Sequence, residues 1–84
     1  MEMTDHDLGL RKRSLTIARH RTSLALEPIF WRALDREASE RQLSLAGLIG
    51  EIDQERAAAN APVSLASASR VHVVDRLMKQ IAAS

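Results

Sequence analysis

Cysteine is absent from this 84-residue chain, which excludes the disulfide frameworks and cysteine-based zinc sites that hold many very short domains together. The three histidines, His6, His20 and His72, are too far apart along the chain to suggest a metal cluster. Aromatic residues are nearly missing too. Phe30 and Trp31 are the only two, and their helical spacing next to a strand points to a core or dimer interface rather than to a base-stacking platform. No apolar run is long enough for a membrane span, and the segment Met1 to Leu10 is acidic where a secretory signal is basic and then hydrophobic. These absences predict a soluble, unexported protein of the reducing cytoplasm, with no metal and no cofactor. No serine, histidine and carboxylate spacing marks a catalytic site, so no enzyme is expected.

A chain of this length holds one small domain and buries little more than half of the surface its unfolded form exposes. With neither disulfide nor metal available, a second copy is the remaining way to enlarge the core. Net charge is only +1, but it is unevenly placed. Residues 1 to 10 carry Glu2, Asp5 and Asp7 and no base, whereas residues 11 to 26 carry Arg11, Lys12, Arg13, Arg19 and Arg21 and no acid. Residues 1 to 10, with no helical or strand period, are expected to form a flexible acidic tail, and residues 11 to 84 the folded domain.

Residues 12 to 26 alternate. Leu15, Ile17, Leu24 and Leu26 form one face, and Ser14, Thr16, Arg21, Ser23 and Ala25 the other, the period of half-buried strand. Between the runs, Ala18-Arg19-His20-Arg21 is either a tight hairpin turn or the middle of one bent extended segment, with no glycine, proline or asparagine to decide. Pro28, suited to the first turn of a helix, opens a helix predicted over 28–42, with Ile29, Phe30, Trp31, Ala33, Leu34 and Ala38 on its apolar stripe. Ser44 is placed to cap a second helix over 45–58, whose buried face is Leu45, Leu48, Ile49 and Ile52. Gly47 and Gly50 within it suggest close backbone approach at a helix crossing. After a connector at residues 59–63, Ser64 caps a third helix over 65–82, with Leu65, Ala68, Val71, Val74, Leu77, Met78 and Ile81 on a face that must cover the first two helices or a partner copy.

The strand RTSLAL, the helix EPIFWRALDREASERQ and the helix LSLAGLIGEID, in that order over residues 21 to 57, resemble the ribbon-helix-helix repressors of bacteria. With the flanking RKRSLTIARHRTSLALE and SLASASRVHVVDRL the resemblance extends over residues 11 to 78, and is to the longer, three-helix members found in many alphaproteobacteria. It implies a mainly α fold with a short N-terminal β ribbon, built as an intertwined homodimer whose strands pair antiparallel, with an additional C-terminal helix. Leu24, Leu26, Phe30, Trp31, Leu34, Leu45, Leu48, Ile49 and Ile52 are then the dimer core.

The resemblance also implies double-stranded DNA as partner. A two-stranded ribbon fits the major groove, and by position the base-reading residues are Arg21, Ser23 and Ala25. Arg21 suits guanine, Ser23 several base edges, and Ala25 a thymine methyl. Ala25 stands where the strongest family members carry a longer polar residue, so readout is sparse and leans on Arg21, on DNA shape, or on several dimers assembling together. Arg11, Lys12, Arg13 and Arg19 supply attraction to phosphates, and the backbone amides around Ser44, Leu45 and Ala46 a phosphate clamp at a helix N-terminus.

Two functions compete on this basis. One is a transcriptional regulator binding DNA specifically or semi-specifically; the other is a protein-interaction module using the same dimer scaffold, with weak or no DNA binding. In either case Leu24 lies in the core, so Leu24→Asp is expected to abolish the helical circular dichroism signal. A folded, monomeric Leu24→Asp protein overturns the dimer expectation.

Overall fold

The computed structural model describes residues 8–60 and 62–84. Residues 1 to 7 of the expected acidic tail, and Ala61 of the expected connector, lie outside the described residues. Two strands, β1 (Arg11–Ile17) and β2 (His20–Leu26), are followed by three helices, α1 (Pro28–Glu40), α2 (Leu45–Ala58) and α3 (Leu65–Ala83). The protein is a short N-terminal ribbon packed on helices, with one helix beyond a strand-helix-helix unit.

The strands form an antiparallel hairpin in which Arg11 faces Leu26, Ser14 faces Ser23 and Ile17 faces His20. This decides between the two arrangements that the sequence leaves open. The connecting residues Ala18 and Arg19 have φ of 51° and 71°, the left-handed pair that matches a two-residue turn to the twist of the strands. Neither is glycine, and each such conformation costs an ordinary residue about 1 kcal/mol. Burial of the hairpin's apolar face offsets that cost. The resemblance implies a ribbon shared between two copies, whereas here both of its strands belong to one chain.

Helix α1 stops at Glu40, two residues before the expected end. Gln42 takes φ 57°, and the amides of Gln42 and Leu43 bond back to the carbonyls of Ser39 and Ala38 at 3.1 and 2.8 Å. This is a left-handed helix cap, with Leu43 folding over the last turn to pack on the core. Glycine usually marks such an end, and its absence hid this one. Helices α2 and α3 begin at serine caps: Ser44 Oγ accepts from the Gly47 amide at 2.9 Å and Ser64 Oγ from the Ser67 amide at 3.0 Å.

The core is Ile17, Leu24, Leu26, Trp31, Leu34, Ala38, Leu48, Ile49, Ile52 and Val73. Of the residues expected in a dimer core, Phe30 and Leu45 are half-buried at its margin, and the other seven are buried within this one chain. The glycines of α2 serve other ends than a helix crossing. A Cβ on Gly50 meets Ile17 of β1 at 3.7 Å, so α2 lies against the ribbon, and one on Gly47 crowds the Ser44 cap at 3.1 Å.

Helix α3 differs most from expectation. Ser69 and Val73, four residues apart, face the core, and Leu65, Ala66 and Ala68 pack at its edge. Val71, Val74, Leu77, Met78 and Ile81 project into solvent. The helix has two apolar sides, and only one is covered. His72 of this helix reaches the carboxylate of the buried Glu37 at 2.8 Å. Glu37 also accepts from Arg41 at 2.9 Å, and Arg76 lies 3.6 Å away, so one buried carboxylate of α1 is held by Arg41 at the cap of that helix and by Arg76 of α3. Because Arg19 holds a left-handed conformation that glycine adopts freely, Arg19→Gly is expected to raise stability by about 1 kcal/mol in urea denaturation.

Candidate nucleic-acid interface

Cross-strand partners in an antiparallel pair put their side chains on the same face. The register therefore sorts the ribbon into two sets. Arg11, Arg13, Leu15 and Ile17 of β1 share the inner face with Leu26, Leu24, Thr22 and His20 of β2. Lys12, Ser14 and Thr16 share the outer face with Ala25, Ser23 and Arg21. On the outer face all but the half-buried Ala25 are exposed, and no carboxylate is among them.

The inner face is anchored at its open end by α1. The Trp31 indole Nε1 donates to the Arg11 carbonyl at 2.8 Å. The Arg13 guanidinium donates both of its terminal nitrogens to the Asp35 carboxylate, each at 3.1 Å, and lies over the Trp31 ring, 4.5 Å from its centroid. At the other end Ile17 is packed against α2 through Gly50. Glu27, which follows β2, accepts from Arg70 of α3 at 2.9 Å, and that guanidinium holds the Glu27 carboxyl below the usual carboxylate range. The ribbon is thus tied to all three helices, by one face only.

The expected site residues divide accordingly. Arg21, Ser23 and Ala25 are together on the outer face, with Lys12 across from Ala25. Arg19 is exposed at the tip of the turn, and Arg11 is exposed at the opposite end of β1. Lys12, Arg19 and Arg21 make no ion pair among the described residues. Arg11 and Arg13 both have inner-face parity, and Arg13 is held there by Asp35 and the Trp31 ring of α1. Ser44 is occupied as the cap of α2, and the half-buried Leu45 and Ala46 form that helix's first turn, whose amides precede the first intrahelical bonds. Helix α2 lies against the inner face of the ribbon, where Gly50 faces Ile17. Ser14 and Thr16 were left out of the site by the sequence reading, although their polar parity was visible. What was missing was the pairing that sets them beside Ser23 and Arg21.

Among the described residues no group of acidic or histidine side chains is arranged to hold a metal ion, and no helix is long and apolar enough to cross a membrane. A family model described as a ribbon-helix-helix domain matches residues 10–77. No curated protein and no solved structure matches the chain. The parity of the ribbon separates two neighbouring cations by role. Arg13→Ala is expected to lower stability by about 1 kcal/mol through loss of the Asp35 pair and the ring contact, while Lys12→Ala leaves the urea midpoint unchanged.

Proposed function

The chain belongs to the ribbon-helix-helix family, whose members commonly bind DNA as transcriptional regulators, and on that premise we propose that it binds duplex DNA as a homodimeric regulator in the bacterial cytoplasm. The observation that carries this reading is the outer face of the hairpin: exposed, polar, cationic and free of carboxylates, on a ribbon whose other face is anchored to the helices. A ribbon of this kind enters the major groove with its outer side chains toward the base edges.

In this reading Arg21 pairs with guanine, Ser23 bonds a base edge and Ala25 meets a thymine methyl. Arg11, Lys12 and Arg19 draw the phosphates, and the amides at Ser44, Leu45 and Ala46 receive one at the positive end of α2. Arg13 leaves that set because Asp35 neutralises it. With so few hydrogen-bonding side chains, recognition is semi-specific and takes part of its selectivity from DNA shape.

A second copy gains most where this one leaves apolar side chains in water, at Ile29 of α1 and at Val74, Leu77, Met78 and Ile81 of α3. The same surface favours the second reading, a module that holds another protein there and touches DNA weakly or not at all. Beside it an open groove of about 620 Å³ runs between α1 and α3, lined by Ile29, Ala33, Val73 and Leu77 and by charges of both signs.

The regulator reading expects the purified protein to sediment as a dimer and to retard duplex DNA at about 50 mM salt. Affinity then falls by several orders of magnitude toward about 200 mM salt, and Arg21→Ala weakens binding by roughly tenfold or more. Failure to retard any duplex at the lower salt transfers the assignment to the protein-interaction module.

A further inference from the structure

The two strands of the ribbon share one pattern of residue types, with serine and leucine identical in both. Lys12-Arg13-Ser14-Leu15-Thr16-Ile17 repeats as Arg21-Thr22-Ser23-Leu24-Ala25-Leu26: a cation, a polar residue, serine, leucine, a small residue, and a branched aliphatic one. Alternation alone does not require this. A half-buried strand needs only apolar and polar residues in turn, not a serine at the third place and a cation at the first.

The hairpin register makes the repeat geometric. Ser14 stands directly opposite Ser23, so a two-fold axis normal to the ribbon and passing between them carries each residue of β1 onto its counterpart in β2. On the outer face that rotation takes Lys12 onto Arg21, Ser14 onto Ser23 and Thr16 onto Ala25. On the inner face it takes Leu15 onto Leu24 and Ile17 onto Leu26, but Arg13 onto Thr22. There the likeness breaks where β1 alone is held by Asp35 and Trp31. Had the repeat been offset by one residue from the register, no such axis would exist.

The inner face meets an asymmetric helical core, which gives it no reason to be symmetric. Duplex DNA does, because dyad axes perpendicular to the helix run through its base pairs and between them, and a ribbon centred on one presents the same groups to both strands. We infer that one chain reads a short, nearly palindromic DNA element with both of its strands, Lys12, Ser14 and Thr16 being specificity-determining residues equivalent to Arg21, Ser23 and Ala25. This rests on the DNA-binding function proposed above. Lys12 then moves from the phosphate set to the base edges, and Lys12 and Arg21 each address a guanine, on opposite DNA strands. The five residues from Lys12 to Thr16 span roughly 13 Å at the rise of a strand, which sets the two guanines about four base pairs apart. Ser14 and Ser23 lie over the centre, and the methyl groups of Thr16 and Ala25 suit thymine methyls. A single protomer thus carries within itself the symmetry that a ribbon otherwise obtains from two identical strands.

Selection of bound sequences from a randomised duplex pool at low salt, by the intact protein and by its Lys12→Ala and Arg21→Ala variants, tests this. The substituted side chains are exposed, and matching circular dichroism spectra establish that the variants fold. The inference expects the intact protein to enrich a near-palindromic core with a guanine on each strand. Arg21→Ala then loses about tenfold discrimination at one guanine, and Lys12→Ala about as much at its dyad mate. If Lys12→Ala weakens all sequences alike and keeps the base preference, while Arg21→Ala relaxes it, β1 holds phosphates only; the inference falls and DNA binding stands. If no protein enriches or retards any duplex, the DNA-binding function fails and takes this inference with it.

Discussion

Everything the ribbon presents depends on the register in which β1 and β2 pair. Side chains alternate along a strand, so a slip of one residue exchanges the faces: Leu24 and Leu26 would go to water and Arg21 and Ser23 to the core. Two forces hold the register. The turn at Ala18 and Arg19 allows two residues and no more, despite the left-handed backbone it asks of both. The buried face of Ile17, Leu24 and Leu26 penalises any other pairing by the apolar surface that pairing would expose. The strain at the tip is tolerated because Ile17, Leu24 and Leu26 on the inner face of the hairpin are buried in the core.

Anchoring by one face is also what makes the other available. Trp31 illustrates the economy of the arrangement: it fills the core, its indole nitrogen satisfies the Arg11 carbonyl, and its ring carries Arg13. Three demands of the strand are met from one position on α1. Glu37 plays a comparable part among the helices, where Arg41, His72 and Arg76 converge on it and Arg41 continues to Glu51 of α2 at 2.9 Å. A buried carboxylate is costly alone, but one surrounded by donors fixes the relative placement of its partners, because each alternative leaves a charge unpaired. The outer face of the ribbon is therefore displayed by a platform braced through both packing and charge.

Helix α3 extends this platform and leaves it incomplete. Its first half seals the core through Leu65, Ala68, Ser69 and Val73, while its second half carries Leu77, Met78 and Ile81 into solvent. A small domain with that much apolar surface on one side and a cationic ribbon on another has two separate surfaces to offer. In the proposed regulator, one joins copies and the other meets DNA.

The strand periodicity, the helix opened by Pro28, the serine caps and the cationic segment were all legible in the amino-acid order, because each is a local preference written in a few adjacent residues. Side-chain parity on β2 was equally legible, and with it the polar company of Arg21 and Ser23. The end of α1 was not, since Gln42 adopts a backbone conformation that its identity does not advertise. Nor were the partners of Arg13, His72 and Glu37, because a charge is assigned to solvent or to a partner by residues distant in the chain that only packing brings near. The sequence by itself determined which residues alternate, which segments coil and where the cations cluster. Only the tertiary structure decided that β1 folds back on β2, that Arg13 finds Asp35 and Trp31, and that one side of α3 stays uncovered, since these follow from surfaces competing for burial across the whole chain.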